Sequence, residues 1–384
     1  MKQRILALSR DRGSMQAIAP VIAVLQASGD LELSTYATRE SWPVTIELGL
    51  HALRLDETAF AANPAACIRS LLDIHRPDLV LSGSSPARGT APETPEQFAI
   101  LEARRSGAPS LAVLDYWGMY AERFSRDGFT LAEDLLPDRL CVLDRRALSD
   151  LEVFGVPVSR MTITHNPWLD RLVGHASVAI PAQLAQTARG ITVLLVSQPL
   201  AEMRHVRNWP YDQFTMFECL LAAMPSPTSV GHGGTIQILP HPSENVSRWE
   251  AVLAKRDRCD IEVELLQGRV PDLLHDADYL VTSHSTLAYE ALYFGMPCIS
   301  LRPAMESVMR LWIDDAGLSQ VFQDADSLRQ YLAASDPAAE RQRVLRLKRE
   351  LGAGGLFFSD GQATGRVVNE VAGLLGSVAK DSLQ

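Results

Sequence analysis

The chain of 384 residues is long enough for two domains, each with its own hydrophobic core. Hydrophobic residues make up 47% and charged residues 21%, a globular composition that excludes a disordered chain. The formal net charge is −10 and the sequence has no basic stripe, which argues against nucleic acid as the main partner. An anionic ligand would therefore have to be held by local dipoles and a few placed cations.

The cysteines and the apolar runs indicate the cellular compartment of the protein. Five cysteines are scattered without a CxxC pair, which predicts reduced thiols and neither a disulfide framework nor a zinc site. The first residues hold too short an apolar run for a signal peptide, and no run of about 18 apolar residues occurs. We expect a cytoplasmic protein, with peripheral contact to a membrane surface still compatible with the sequence.

The first half alternates short apolar strands with helical segments. Strands are predicted over 4–8, 31–36, 77–82, 110–114, 139–143 and 161–164, and helices over 15–26 and 96–106. This alternation predicts a parallel, doubly wound α/β sheet, in which ligands bind at the carboxyl ends of the strands. The strand over 110–114 ends at Asp115, which precedes Tyr116 and Trp117. A carboxylate at such a place is a candidate general base, and the alternative is a capping Asp with ordinary aromatic packing around it.

A second alternation follows. Strands are predicted over 192–196, 235–239, 260–265, 278–282 and 298–301, helices over 211–224 and 288–294, and a helical tail over 327–375. The polar, alanine-rich segment 181–190 predicts the interdomain boundary. The predicted domains are therefore 1–180 for the acceptor, 190–365 for the nucleotide donor, and a C-terminal helix or tail over 366–384.

Three predicted strand ends in the second half carry polar residues. They are Gln198-Pro199, His241-Pro242 and the turn Ser283-His284-Ser285-Thr286. In a parallel sheet these ends share one edge, so we expect them to converge on one ligand. His241 lies between two prolines that restrict its backbone, and hydroxyls at the start of a helix favour a phosphate. The alternative is that Ser285 or Thr286 is an ordinary N-cap and that His241 is merely packed or solvated.

Two acidic positions in the second half are candidates for binding a ribose or a metal ion. Glu290 follows the serine turn by one helical turn, where a carboxylate can accept both hydroxyls of a ribose; the alternative is a surface Glu. Asp314-Asp315 is predicted to be a solvated acidic pair and not a metal site, since no other ligands cluster near it.

These motifs carry a family resemblance. The second half resembles the nucleotide-binding domain of GT-B glycosyltransferases. His241-Pro242 with Ser285-Thr286 looks like the CMP-binding signature of bacterial sialyltransferases and polysialyltransferases. Gln198-Pro199 is similar to the QP pair of bacterial Kdo transferases, and CDP-glycerol glycerophosphotransferases show a related pattern.

The resemblance implies a GT-B fold, with two Rossmann-like doubly wound domains facing a cleft. It also implies a metal-independent glycosyltransferase without a cofactor, whose donor is a CMP-activated nonulosonic acid of the sialic, pseudaminic or Kdo type. The acceptor would be a hydroxyl of a bacterial surface glycan or glycoprotein. In this interpretation His241, Ser285 and Thr286 bind phosphate and Asp115 activates the acceptor. The chain departs from the sialyltransferase D/E-D/E-G motif, because it has Asp115-Tyr-Trp-Gly118 instead.

A second resemblance gives the alternative function. The segment His165-Asn-Pro-Trp-Leu-Asp170 resembles the GNP-x-x-D turn of UDP-N-acetylglucosamine 2-epimerases, another GT-B-like group. A UDP-sugar 2-epimerase or nucleotide-sugar hydrolase therefore remains open, although Ser285-Thr286 replaces the paired glycines that precede the ribose-binding Glu in those enzymes. A nonenzymatic nucleotide-sugar-binding protein is a third possibility.

Overall fold

The computed structural model describes residues 2–89, 92–176, 190–203, 209–225, 234–257, 260–268, 273–274, 276–305, 312–358 and 360–381. The chain divides into two compact units, one of Met1–Val173 with Gly355–Gln384 and one of Gly174–Gly354. Of the predicted boundary segment 181–190, all but Gly190 lies outside the described residues. Residues 355–365, which the sequence assigns to the second domain, belong to the first unit.

The first unit is built on a parallel sheet. Its strands are β1 (Gln3–Ser9), β2 (Leu31–Ala37), β3 (Leu53–Arg54), β4 (Leu79–Ser82), β5 (Ser110–Val113), β6 (Arg139–Val142) and β7 (Met161–Ile163). They lie in the order β3-β2-β1-β4-β5-β6-β7, and every pairing is parallel. The order in which strands are added reverses at β1, with β2 and β3 on one side and β4 to β7 on the other. The point between β1 and β4 is the switch point at which doubly wound folds bind ligands.

Helices connect these strands. They are α1 (Arg12–Ser28), α2 (Trp42–Glu47), α3 (Glu57–Ala62), α4 (Pro64–His75), α5 (Pro95–Ser106), α6 (Tyr120–Phe124), α7 (Arg145–Phe154) and α8 (Asp170–Ala176). Local sequence fixes their ends. The Asp11 side chain accepts from Ser14 N–H at the start of α1, and Thr94 forms a capping box with Gln97 at the start of α5. Gly29 and Gly107 end these helices in the left-handed conformation.

The second unit repeats the arrangement. Its strands are β8 (Thr192–Val196), β9 (Thr235–Leu239), β10 (Glu262–Leu265), β11 (Tyr279–Thr282), β12 (Cys298–Leu301) and β13 (Ser319–Phe322). Their order is β10-β9-β8-β11-β12-β13, again with parallel pairing throughout. The switch point of this sheet therefore lies between β8 and β11.

The helices of the second unit are α9 (Gln213–Ala223), α10 (Val246–Leu253), α11 (Leu287–Tyr293), α12 (Trp312–Asp315), α13 (Ala325–Ala334) and α14 (Pro337–Ala353). A last helix, α15 (Ala363–Asp381), belongs to the first unit, where Gln3 Nε2 donates to the Leu375 carbonyl at 3.1 Å. The tail that the sequence predicts as helical over 327–375 is thus three helices, because Asp336-Pro337 starts one and Gly354-Gly355 ends it.

Each unit has its own hydrophobic core. In the first, side chains of β1 and β4 pack against α4 and α5, with Leu6, Leu8 and Val80 from the sheet all buried. In the second, Trp249 of α10 is fully buried and packs between Phe214 and Phe217 of α9. Burial of each such side chain contributes roughly 1.5–3 kcal/mol, which is the main force that closes helices onto a sheet.

Candidate active site

The carboxyl end of β8 is hydrogen-bonded to the turn that follows β11. Gln198 Oε1 accepts a hydrogen bond from the His284 backbone N–H at 2.7 Å. His284 also stacks on Trp209, with ring centroids 4.6 Å apart. Pro199, next to Gln198, is buried, and its backbone carbonyl accepts from Met203 N–H. The side chain of Gln198 is therefore engaged in shaping the turn, and sequence reasoning did not single out His284 or Trp209.

The carboxyl end of β9 presents an exposed imidazole on a fixed backbone. His241 Nδ1 accepts from Ser243 N–H at 3.2 Å and lies 2.7 Å from Ser243 Oγ, which places the ring proton on Nε2. The His241 N–H donates to Glu244 Oε1 at 3.3 Å. His241 and Pro242 are both exposed, which excludes a packed histidine and leaves the solvated and the ligand-binding interpretations open.

Glu244 fixes the His241 loop to β8. Its Oε2 accepts from Ser197 Oγ at 3.0 Å and from Trp249 Nε1 at 2.6 Å. Burial raises the pKa of this carboxyl above its ordinary value, against hydrogen bonds that lower it. The ends of β8, β9 and β11 are thus tied together by Glu244 on one side and Gln198 on the other, as the sequence predicts for one shared edge.

The serine turn itself divides into buried and exposed hydroxyls. Ser283 is buried, with Oγ 2.5 Å from Tyr211 Oη. Ser285 Oγ accepts from Leu287 N–H at 3.2 Å, so it does serve as a local cap. Thr286 is exposed and makes no side-chain capping bond. Of the described hydroxyls in the turn, Thr286 is the one that faces solvent at the start of the seven-residue helix α11.

A buried ion pair holds this turn from below. Arg302, at the end of β12, donates through Nε and Nη2 to the Ser283 carbonyl at 3.2 and 3.1 Å. Its Nη2 also lies 2.7 Å from Asp314 Oδ2, and both side chains are 0% exposed. The sequence predicts a solvated acid at Asp314, and this prediction is wrong. The Asp314 carboxylate is buried because it neutralises an arginine that has no access to water. Asp314 Oδ1 further accepts from the hydroxyls of Ser300 and Ser319.

Glu290 lies on the inner side of α11. It is 7% exposed and follows buried Ala288 and Tyr289, so the surface alternative is wrong. A carboxylate this far from water needs polar partners, since an isolated buried charge is strongly destabilising.

In the first unit, Asp115 forms a buried ion pair. Its Oδ1 lies 2.7 Å from Arg123 Nη1, with the two side chains 13% and 1% exposed. Arg123 Nη1 also donates to the carbonyl and the hydroxyl of Ser84 at the end of β4. Burial raises the pKa of Asp115, Arg123 opposes that rise, and the Asp11 carboxylate adds to it. A carboxyl with a raised pKa suits proton transfer near neutral pH.

A second buried carboxyl lies at the same edge of the sheet. Glu96, in the first turn of α5, is 2% exposed. Its Oε1 accepts from Ser85 Oγ at 2.6 Å, from Arg10 N–H at 2.7 Å and from Ser9 Oγ at 3.1 Å. Burial and the nearby Asp11 carboxylate raise the pKa of Glu96. Sequence reasoning missed both Glu96 and Arg123.

The aromatic residues after Asp115 have a structural role. Trp117 Nε1 donates to Asp144 Oδ2 at 2.9 Å, and Asp144 Oδ1 caps α7 by accepting from Ala147 N–H. Burial raises the pKa of Asp144 to about 6. Asp144 is thus the cap of α7, and Asp115 does not cap α6, whose N-cap is Met119 in the left-handed conformation.

The segment His165–Asp170 connects Asp115 to the last helix. His165 has a φ of 67°, the left-handed backbone that a glycine would adopt most readily. Asn166 donates through Nδ2 to the Asp115 carbonyl at 3.2 Å, and its Oδ1 accepts from Trp168 N–H. Asp170 accepts from the N–H groups of Ala363 and Thr364, the first residues of α15. The turn therefore positions the Asp115 backbone.

The described residues show neither a metal-binding cluster nor a membrane-spanning helix. They contain no group of three or more His, Cys, Asp or Glu side chains arranged to hold a metal ion. Within the same residues, no helix has the length and apolar character needed to cross a membrane.

The sequence matches no family model and no curated protein, but the fold matches solved structures. UDP-GlcNAc 2-epimerase from Neisseria meningitidis, bound to UDP-GlcNAc, is 14% identical with a TM-score of 0.60, covering 96% of this chain and 100% of that one. MurG from Acinetobacter baumannii is 13% identical with a TM-score of 0.59, covering 96% and 99%. The calicheamicin glycosyltransferase CalG4 is 15% identical with a TM-score of 0.59, covering 99% and 100%. The chain has the GT-B fold, with two Rossmann-like α/β domains, which confirms the predicted fold class.

Proposed function

We propose that this protein is a nucleotide-sugar enzyme that transfers a glycosyl group to a hydroxyl acceptor. The observation that carries the proposal is the joined edge of the second sheet, where Gln198, Glu244 and Arg302 fix the ends of β8, β9 and β11. This edge presents one exposed imidazole, His241, on a backbone held by hydrogen bonds. It lies at the switch point, where doubly wound domains bind nucleotides.

The chemistry assigned to His241 follows from its tautomer. With Nδ1 accepting from Ser243, Nε2 carries a proton and donates to a phosphate oxygen of the donor. As the glycosyl bond breaks, that hydrogen bond stabilises the charge on the departing nucleotide. Thr286 adds an exposed hydroxyl, and Ser283, Ser285 and Pro242 shape the turn around it.

Asp115 is the proposed general base. It accepts the proton of the acceptor hydroxyl, and its raised pKa matches it to that task. Arg123 keeps the carboxylate oriented through a 2.7 Å ion pair. Glu290 is the proposed partner of the ribose hydroxyls, with its carboxylate placed on the buried side of α11.

The donor proposed is a CMP-activated nonulosonic acid, on the strength of the His241-Pro242 and Ser285-Thr286 motifs. A UDP-sugar 2-epimerase is the second candidate. It is favoured by the left-handed φ of His165, which gives the His165–Asp170 turn the backbone expected of the GNP-x-x-D motif. The same turn holds the Asp115 backbone through Asn166.

A thermal-shift panel of CMP, CDP, UMP and UDP separates binding of cytidine nucleotides from binding of uridine nucleotides. A nucleotide that binds the folded state stabilises it by RT ln(1 + [L]/Kd), about 2.7 kcal/mol at a hundredfold excess over Kd. Stabilisation by CMP and CDP supports the CMP-activated donor. The epimerase candidate requires stabilisation by UMP or UDP together with turnover of a UDP-sugar in the absence of an acceptor. No stabilisation by any of the four would refute nucleotide binding at this edge.

His241→Ala tests the phosphate contact. We expect most turnover to be lost while the unfolding temperature stays unchanged, because the ring is exposed and its removal leaves the core intact. His51→Ala, which removes another exposed histidine, is the matched control. Turnover in His241→Ala equal to that in the control would remove His241 from the site.

A further inference from the structure

Two buried groups near Asp115 have polar atoms without partners among the described residues. Glu96 uses Oε1 for three hydrogen bonds, and its Oε2 has none within that part of the chain. Arg123 uses Nη1 for Asp115 and Ser84, and its Nε and Nη2 have no described partner. A buried polar atom left without a partner costs about 1–3 kcal/mol, so both groups need one.

Both residues line the same small cavity in the first unit. Its volume is about 10 Å³, and its walls include Gly83, Ser84 and Ser85 of the loop after β4. That volume is at the lower limit for one water molecule, which needs roughly 10–15 Å³ and two to four polar partners. Nothing larger than a water fits this space.

The polarity of the walls selects the occupant. A carboxylate oxygen only accepts hydrogen bonds, whereas guanidinium N–H groups only donate them. A water molecule does both, so it accepts from Arg123 and donates to Glu96. An anion would be repelled by Glu96, and a cation by Arg123. We propose that one buried water joins Glu96 to Arg123 in this cavity, which makes Glu96 a positioning residue for Asp115.

The consequence reaches Asp115 through the arginine. Arg123 is held at Nη1 by Asp115 and Ser84, and the bridged Glu96 fixes its remaining donors, so the guanidinium cannot rotate away from Asp115. The positive charge of Arg123 is then shared between two carboxylates. Neutralising Glu96 leaves that charge wholly to Asp115 and lowers the Asp115 pKa.

The other charges around these groups are few. Asp11, at the start of α1, faces both Asp115 and Glu96 and raises the pKa of each. The Arg10 guanidinium lies 4.0 Å from Asp11 and donates to the Pro86 carbonyl. Replacing Glu96 by Gln changes none of these, so its effect on Asp115 reports on the bridge through Arg123 and on direct repulsion between the carboxylates.

The first test is a high-resolution crystal structure of the full chain. We expect an ordered water within about 3.2 Å of Glu96 Oε2 and of Nε or Nη2 of Arg123. A cavity without density, or a water that contacts only one of the two side chains, would overturn the inference.

The second test measures the Asp115 pKa by NMR of ¹³C-labelled aspartate carboxyls, assigned with Asp115→Asn. We expect Glu96→Gln to lower that pKa. The matched control is Glu102→Gln, another buried carboxyl on α5, which pairs with Arg69 and Arg105 and is absent from the cavity wall. Equal Asp115 pKa values in the two variants would overturn the role of Glu96.

The inference rests on the proposed function in one respect: Glu96 affects turnover only if Asp115 is the general base. Neither measurement requires turnover, so the two can fail separately. If the water and the pKa shift are found but Asp115→Asn remains active, the proposed function fails. If Asp115→Asn is inactive and the water is absent, only the bridge fails.

Discussion

Arg302→Met removes one half of an ion pair that has no access to solvent. In the folded protein the guanidinium lies against Asp314 at 2.7 Å and donates twice to the Ser283 carbonyl. The substitution removes that guanidinium from the Asp314 carboxylate, which keeps its hydrogen bonds from the hydroxyls of Ser300 and Ser319. Breaking a buried pair in this way costs about 3–5 kcal/mol of unfolding free energy.

A double-mutant cycle measures how strongly Arg302 and Asp314 stabilise each other in the folded protein. Asp314→Leu strands the arginine and should also cost about 3–5 kcal/mol, so independent effects would sum to about 6–10 kcal/mol. In the double variant no charge is left, and the hydroxyls of Ser300 and Ser319, 3.4 Å apart, can pair with each other. The Ser283 carbonyl remains without its donors, so we expect a loss of about 1–3 kcal/mol.

Urea unfolding followed by circular dichroism measures these differences in unfolding free energy. The comparison requires that unfolding free energy falls with urea concentration at the same slope in every variant. Asp326→Asn is the control, because Asp326 is paired with Arg329 but its side chain is 80% exposed; its midpoint should not change. The same samples report on the turn, since Arg302→Met frees the Ser283 carbonyl and should weaken nucleotide binding. A single-variant loss below about 1 kcal/mol, or additive losses in the double variant, would refute the reasoning.

Three further predictions concern the first unit. His165→Asn keeps the left-handed backbone, which Asn tolerates. Burial lowers the pKa of His165 from 6.5 to about 4, so wild type should lose about 3 kcal/mol as pH falls through that window, and urea titrations should show a smaller loss in the variant. Gly13→Ala puts a Cβ 3.0 Å from Asp115 Oδ2 and favours the helix by about 1 kcal/mol, so turnover should fall without loss of thermal stability; unchanged turnover would mean the carboxylate has room. Asp170→Ala should cost about 1–2 kcal/mol and speed hydrogen exchange at the first amides of α15, and equal exchange would contradict its capping role.

Periodicity and punctuation in the sequence were enough to predict the parallel sheets and their polar strand ends. Continuous apolar runs such as that over 192–196 are typical of strands buried on both faces. The edge strand β13 was missed because its four residues contain only two apolar side chains. Helix α4 was also missed, although Asn63 followed by Pro64 is a start signal that the sequence displays.

Residues of the candidate site could be predicted from the sequence where they stand at strand ends, and could not where they contact those ends from a helix. Ser283 follows its strand directly, and Asp115 and His241 each come two residues after theirs, so topology alone brings each to the carboxyl edge of its sheet. Arg123 reaches Asp115 from a separate short helix, and Glu96 reaches the loops from the first turn of α5. Charged residues in helices are usually exposed, and only the folded structure reveals that these two are not.

The role of Asp314 was mistaken for the same reason. Two adjacent acidic residues favour a solvated face in any sequence, and the countercharge on Arg302 lies twelve positions earlier, at the end of a strand. A buried ion pair of this kind leaves no periodic signal, because it depends on two side chains meeting below a turn.

The discontinuity of the first unit has a consequence for synthesis on the ribosome. Its sheet and first helices emerge before residue 174, but α15, whose first amides are capped by Asp170, emerges only after residue 362. The second unit is continuous, so its whole sequence is available while the first still lacks a helix. Domains usually complete folding in chain order. Here the later-synthesised unit can finish first, and α1 and the start of β1 remain uncovered by α15 until that helix has emerged.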